Sequence, residues 1–225
     1  NVTKENVHHF LDALDDGLKE ANINKTIDLK IVEININLTS IDHQRFPEED
    51  RWTTVFQEVL GDSYKIIEEG QNGRTIAIDD PAEGEKNGLL YIGPCLESQR
   101  PLEYVIIMLG SNDCKRKFAF SSMDIAGEMQ IFLEKVITYN HFRLKDQFKI
   151  LLVSPPHIAE TIKESWLGDC FGYENARKLS MELASWYKQL ADMYGCLFLD
   201  ASEYLKASET DGFHLDAENQ KKLGR

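Results

Sequence analysis

Long apolar runs, paired cysteines and an excess of basic charge are all missing from this chain of 225 residues. No stretch approaches the roughly 20 apolar residues that a membrane-spanning helix needs. The opening segment, NVTKENVHHFLDALDDG, lacks the basic-then-apolar layout of a secretory leader. Cys95, Cys114, Cys170 and Cys196 show no C-x-x-C spacing, which argues against a zinc site or a disulfide scaffold and for free thiols in a reducing compartment. Lysine and arginine number 25 against 38 aspartates and glutamates, a net charge of −13, and such a field repels phosphate backbones and anionic lipid. The chain is therefore read as cytoplasmic, with neither nucleic acid nor membrane as a partner. Asn1, Asn24 and Asn37 each open an Asn-x-Thr triplet, which carries meaning only in a secreted chain. His8 and His9 with Asp15 and Asp16 fall on different faces of a helix, so they read as solvated surface rather than metal ligands.

What the chain does have is a regular alternation. Short apolar runs recur at LKIVEINI from Leu29, YKIIEE from Tyr64, YVIIML from Tyr104, FKILLV from Phe148 and CLFLD from Cys196. Each is too short and too continuously apolar for a surface helix, so each is expected as a strand buried on both faces of a parallel sheet. Between them, amphipathic patterns predict helices over Glu48–Leu60, Ser122–Tyr139 and Tyr173–Tyr194, the first closed by Gly61. Alternating strands and helices predict a three-layer α/β/α sandwich with a central parallel sheet, flavodoxin-like in its layers. Residues 29–225 are expected to form this domain. Val7, Phe10, Leu11, Leu14 and Leu18 place an additional amphipathic helix in residues 1–28. That segment is expected to cover surface near the early stop of the closing helix at Arg225.

In such a sheet a ligand sits beyond the carboxyl ends of the strands. The segments that follow the strands are GQNGRT, GSNDCK and SPPH, and DGFHLD precedes a short final helix. The single Gly-Asp-Ser tripeptide, Gly61–Ser63, instead leaves a helix and enters a strand, so Ser63 is read as a turn residue. His157 is read as structural. Trp166 and Phe171, in the segment from His157 to Tyr173, are candidates either for one wall of an acyl or alcohol pocket or for loop packing.

Five blocks, RFPEEDRWTTVFQEVLG, IIEEGQNGRTIAIDDP, VIIMLGSND, LLVSPP and DGFHLDAENQKKLG, occur in order between Arg45 and Gly224. In these the chain resembles the SGNH (GDSL-type) hydrolases, in particular their arylesterase/acyltransferase branch. The resemblance implies a soluble ester hydrolase acting on small acyl or aryl esters without cofactor or metal, with homo-oligomers by analogy. It implies that His214 is the base, that Asp211 orients it, and that Asn112 with the backbone N–H of Gly73 stabilises the oxyanion. The family's nucleophile block aligns with KIVEININLTS, and there the serine slot falls on Asn37, with Asn35 and Ile36 in the Gly and Asp slots. A carboxamide cannot be activated as an alkoxide-like nucleophile. Three explanations stay open: a nearby hydroxyl, Ser40 or Thr39, serves instead; the chain is a non-catalytic binding protein on the same scaffold; or the segment is an altered version of the true sequence.

Overall fold

A computed structural model describes residues 29–34, 46–144 and 147–225. The N-terminal helical segment expected in residues 1–28 lies outside the described residues, as do Asn37, Thr39 and Ser40.

Among the described residues, five strands, β1 (Leu29–Ile34), β2 (Tyr64–Glu68), β3 (Tyr104–Ile107), β4 (Lys149–Ser154) and β5 (Leu197–Asp200), form one sheet in the order β2-β1-β3-β4-β5. Every pairing is parallel; Val32 stands opposite Ile67 on one side and Val105 on the other. The expected sheet is therefore present, and its continuous apolar strands reflect burial on both faces. β3 shows why: Val105 and Ile107 enter one core, while Tyr104 and Ile106 enter the other.

The helices are α1 (Trp52–Leu60), α2 (Gly88–Gln99), α3 (Ser122–Thr138), α4 (Gly168–Phe171), α5 (Glu174–Tyr194) and α6 (Ala217–Leu223). Ile92 and Leu96 of α2, Met129 and Phe132 of α3 and Leu183 and Tyr187 of α5 fill the larger core. Trp52 and Phe56 of α1, with Leu223 of α6, pack on the opposite face. α3 begins in a capping box, Ser121 accepting from the amide of Asp124 while the Asp124 carboxylate accepts from the amide of Ser121, which satisfies two of the donors that a helix start leaves open.

Two helices were not anticipated, the single turn α4 and the longer α2. α2 carries Gly88, Gly93 and Pro94, residues that lower helix propensity and break periodicity. It forms because Asn87 caps it and because Ile92, Cys95 and Leu96 are almost wholly buried, so tertiary burial overrides propensity. Gly61–Ser63 is a 3₁₀ turn between α1 and β2. In an all-parallel sheet this puts Ser63 at the amino edge.

Candidate active site

The strand order turns back on itself between β1 and β3, and a doubly wound sheet opens its crevice at that point, beyond the carboxyl ends. The segments reaching this edge follow β2, β3, β4 and β5, and they hold four of the five predicted site residues: Gly73, Asn112, Asp211 and His214. The fifth, Ser40, follows β1 and lies outside the described residues.

Asp211 and His214 stand on one turn. Asp211 Oδ1 accepts the amides of Phe213 at 2.9 Å and His214 at 3.0 Å, and Oδ2 meets His214 Nδ1 at 2.6 Å. Burial pushes the Asp211 carboxyl up, but the bonds from the His214 ring and the two amides outweigh it and hold the group below the usual carboxylate range. An ionised carboxylate only accepts, so Nδ1 carries a proton, and in the neutral tautomer of the ring Nε2 is the acceptor. The turn is pinned from outside by Ser208 N donating to His214 O at 2.6 Å and Ala159 N to Gly212 O at 2.8 Å. Gly212 has φ +72° and its Cα lies against the backbone at Ile162, a place closed to any side chain. Phe213 meets the His214 ring edge-on with centroids 4.9 Å apart and packs on Phe171 at 4.4 Å. Phe171 is thus a packing residue bracing the histidine, while Trp166 is exposed.

On the facing side Asn112 is buried, and its Nδ2 donates to the carbonyl of Arg74 at 3.0 Å. That bond orients the carboxamide and leaves a second N–H on the same nitrogen. It also ties the turn after β3 to the loop of Gly73, which is buried with φ +75° and lies against the Glu83 side chain. Asp113 repeats the tie, its Oδ1 accepting from Ile76 N at 2.9 Å. Lys115 does so a third time, donating to Asp80 at 3.0 Å and Glu83 at 2.9 Å. The ammonium and the Asp80 carboxylate are almost fully enclosed. Burial lowers the Lys115 pKa, yet its two carboxylate partners outweigh that and raise it; burial raises that of Asp80, yet Lys117 and Lys115 depress it.

A cavity joins the two sides, lined by Met108, Ser111, Pro155, Pro156, Phe213 and His214 among others. Ser111 precedes Asn112, so His214 faces the turn that bears it. His157 is half-buried and outside that lining. Sequence reasoning missed Arg74, Asp80, Glu83, Asp113 and Lys115, the residues that hold the two loops together; the only sign was opposite charge in IDDPAEGEK and NDCK. Among the described residues, no cluster of His, Cys, Asp and Glu is arranged to hold a metal ion, and no helix is long and apolar enough to cross a membrane. The four cysteines are unpaired.

Fold and site together define a doubly wound α/β protein with a carboxylate-oriented histidine at its carboxyl edge. No protein-family model matches the chain, and no curated protein matches it by sequence. Solved structures do. Est24, a carbohydrate acetylesterase from Sinorhizobium meliloti, is 33% identical with a TM-score of 0.80, over 88% of this chain and 95% of that one. The aryl esterase of M. smegmatis is 33% identical with a TM-score of 0.80, over 87% of this chain and 94% of its own. A lipolytic protein of the G-D-S-L family from Veillonella parvula, 12% identical with a TM-score of 0.56 over 87% of this chain and 94% of that one, shares the fold alone. The chain belongs to the SGNH (GDSL-type) hydrolases, a family of ester hydrolases.

Proposed function

We propose that the protein hydrolyses small acyl esters through a hydroxyl nucleophile, with His214 as base and then acid, Asp211 as its orienting partner, and Asn112 and Gly73 as oxyanion donors. The observation that carries this reading is the 2.6 Å bond between Asp211 and His214 Nδ1, on a turn whose histidine lines a cavity with Ser111. Proton transfer follows from it. His214 Nε2 takes the hydroxyl proton as the oxygen bonds to the ester carbon, and the carbonyl oxygen gains the negative charge. Asn112 Nδ2 and the amide of Gly73 donate to that oxygen, and the proton on Nε2 passes to the departing alkoxide as its C–O bond breaks. Water repeats the sequence and releases the acid; an alcohol in its place gives acyl transfer. An acetyl group is the acyl part this reading favours, because the relative from Sinorhizobium meliloti is a carbohydrate acetylesterase.

Ser40 is the nucleophile in this proposal, three residues beyond the slot that Asn37 occupies. Asn37 favours a second reading, a binding protein in which Asn112 and His214 hold a polar ligand without covalent chemistry. Hydrolysis of p-nitrophenyl acetate above the rate of a His214→Ala control supports the enzyme; equal rates support the binding protein.

A further inference from the structure

Behind the Asn112 turn lies a pair of acids that the proposed reaction does not use. Asp113 is wholly buried. Its Oδ1 holds the amide of Ile76, but its Oδ2 is enclosed with no hydrogen-bond donor. Glu128, from α3, is turned toward the amide of Ala77 and also has an enclosed oxygen, Oε2, with no donor. The two carboxyl groups lie within hydrogen-bonding reach of each other. Ionised carboxylates only accept, so two of them cannot bond, and enclosing both charges side by side is strongly unfavourable. One proton between them turns both orphaned oxygens into partners. The titratable groups facing the pair are Tyr187 of α5, Cys114 beside Asp113, and Asp124 on α3. All are neutral or acidic and supply no countercharge. Burial, the repulsion between the two acids and their mutual bond raise the Asp113 pKa well above the carboxylate range, against the pull of the Ile76 amide, and burial likewise raises that of Glu128.

We propose that Asp113 and Glu128 share one proton, and that the protonated pair is the positioning element of the loop carrying Gly73 and Arg74. One arm of the pair adjoins Asn112 in sequence and holds the amide of Ile76; the other is turned toward the next amide, Ala77, of the loop that supplies the other donor. The pair therefore sets the spacing of the two oxyanion donors. Loss of the proton to solvent leaves two buried anions and releases the loop. The inference rests on the reading of Asn112 and Gly73 as oxyanion donors, but the proton itself is detected without turnover.

The experiment follows thermal stability and the protection of the Ile76 and Ala77 amides in the ¹⁵N-labelled full chain, from roughly pH 5 to 10, a range above the ordinary carboxyl pKa values near 4. In that range the folded protein keeps a proton that the unfolded chain has released, so stability falls as pH rises. The wild type is expected to lose stability and protection with rising pH. Glu128→Gln is expected to hold both level, because its carboxamide donates to Asp113 Oδ2 and accepts from Ala77 at every pH; Asp113→Asn rescues in the same way. Asp113→Ala is expected to lower Ile76 protection roughly tenfold or more at all pH values, the loss of a hydrogen bond to a charged group. Parallel pH curves for wild type and Glu128→Gln overturn the shared proton, and unchanged Ile76 protection in Asp113→Ala overturns the positioning role. If Asp113→Ala does not fold, the comparison of wild type with Glu128→Gln decides. A wild type without esterase activity that still shows these curves refutes the proposed function and leaves the acid pair standing.

Discussion

The two sides of the candidate site are built differently. The loops of Gly73 and Asn112 are tied by a buried carboxamide, a buried carboxylate and a buried ammonium, each reaching across from the turn after β3. The turn of Asp211 and His214 is made almost entirely of neighbours in sequence and docks through backbone bonds and one aromatic stack. Oxyanion donors must be fixed before charge develops, because preorganisation is their contribution. A base that passes a proton back and forth needs only its tautomer and its aim. One side should therefore carry both stability and activity, and the other mainly activity.

The largest effect expected is on the base side. His214→Ala should lower kcat/KM by roughly 10⁴-fold, the scale on which triad members act, while lowering the urea midpoint far less than Lys115→Met does, because the two backbone amides still hold the Asp211 carboxylate. A large stability loss would show that the turn is structural and would break the contrast. Next comes Lys115→Met, which leaves the buried Asp80 carboxylate with Lys117 and the Ala82 amide as partners and removes its enclosed ammonium. Breaking an enclosed pair costs about 3–5 kcal/mol, measured by urea unfolding at neutral pH, and the activity should fall with it. Asn112→Ala should lower kcat by about 10²- to 10³-fold, the cost of one oxyanion donor. It should also destabilise the fold by about 1–3 kcal/mol, because the Arg74 carbonyl loses its buried donor.

The smallest effect is a pH dependence. The Asp211 carboxyl is held below its ordinary range, so the stability it contributes is present above the unfolded aspartate pKa near 3.9 and is lost as pH falls through the folded value. Asp211→Asn should flatten that acid limb of a Tm-against-pH curve. An acid limb equal to that of the wild type would mean that the pair is weaker than its geometry indicates.

This contrast also explains what was legible in the sequence. The strands could be read because each is apolar on both faces; Asp211 with His214 could be proposed only through the resemblance of DGFH and its companion blocks to the family, since a two-residue spacing by itself fits a helix cap equally well. α2 could not be read, since Pro94 and Gly93 hide a helix whose burial is a property of the assembled core. The bond between Lys115 and Asp80 spans 35 residues and exists only once β2 and β3 stand beside β1. Charges separated in this way look like solvated surface until the sheet order is known. Arg74 was equally silent: its ring contact is with Tyr91 of the unanticipated α2.

Fluorophosphonate labelling with mapping of the modified peptide tests the central claim most directly. An adduct on Ser40 that disappears in His214→Ala is the result expected of a nucleophile activated by the Asp211–His214 pair. An adduct on Ser63, at the far edge of the sheet, or no adduct at all, would contradict it.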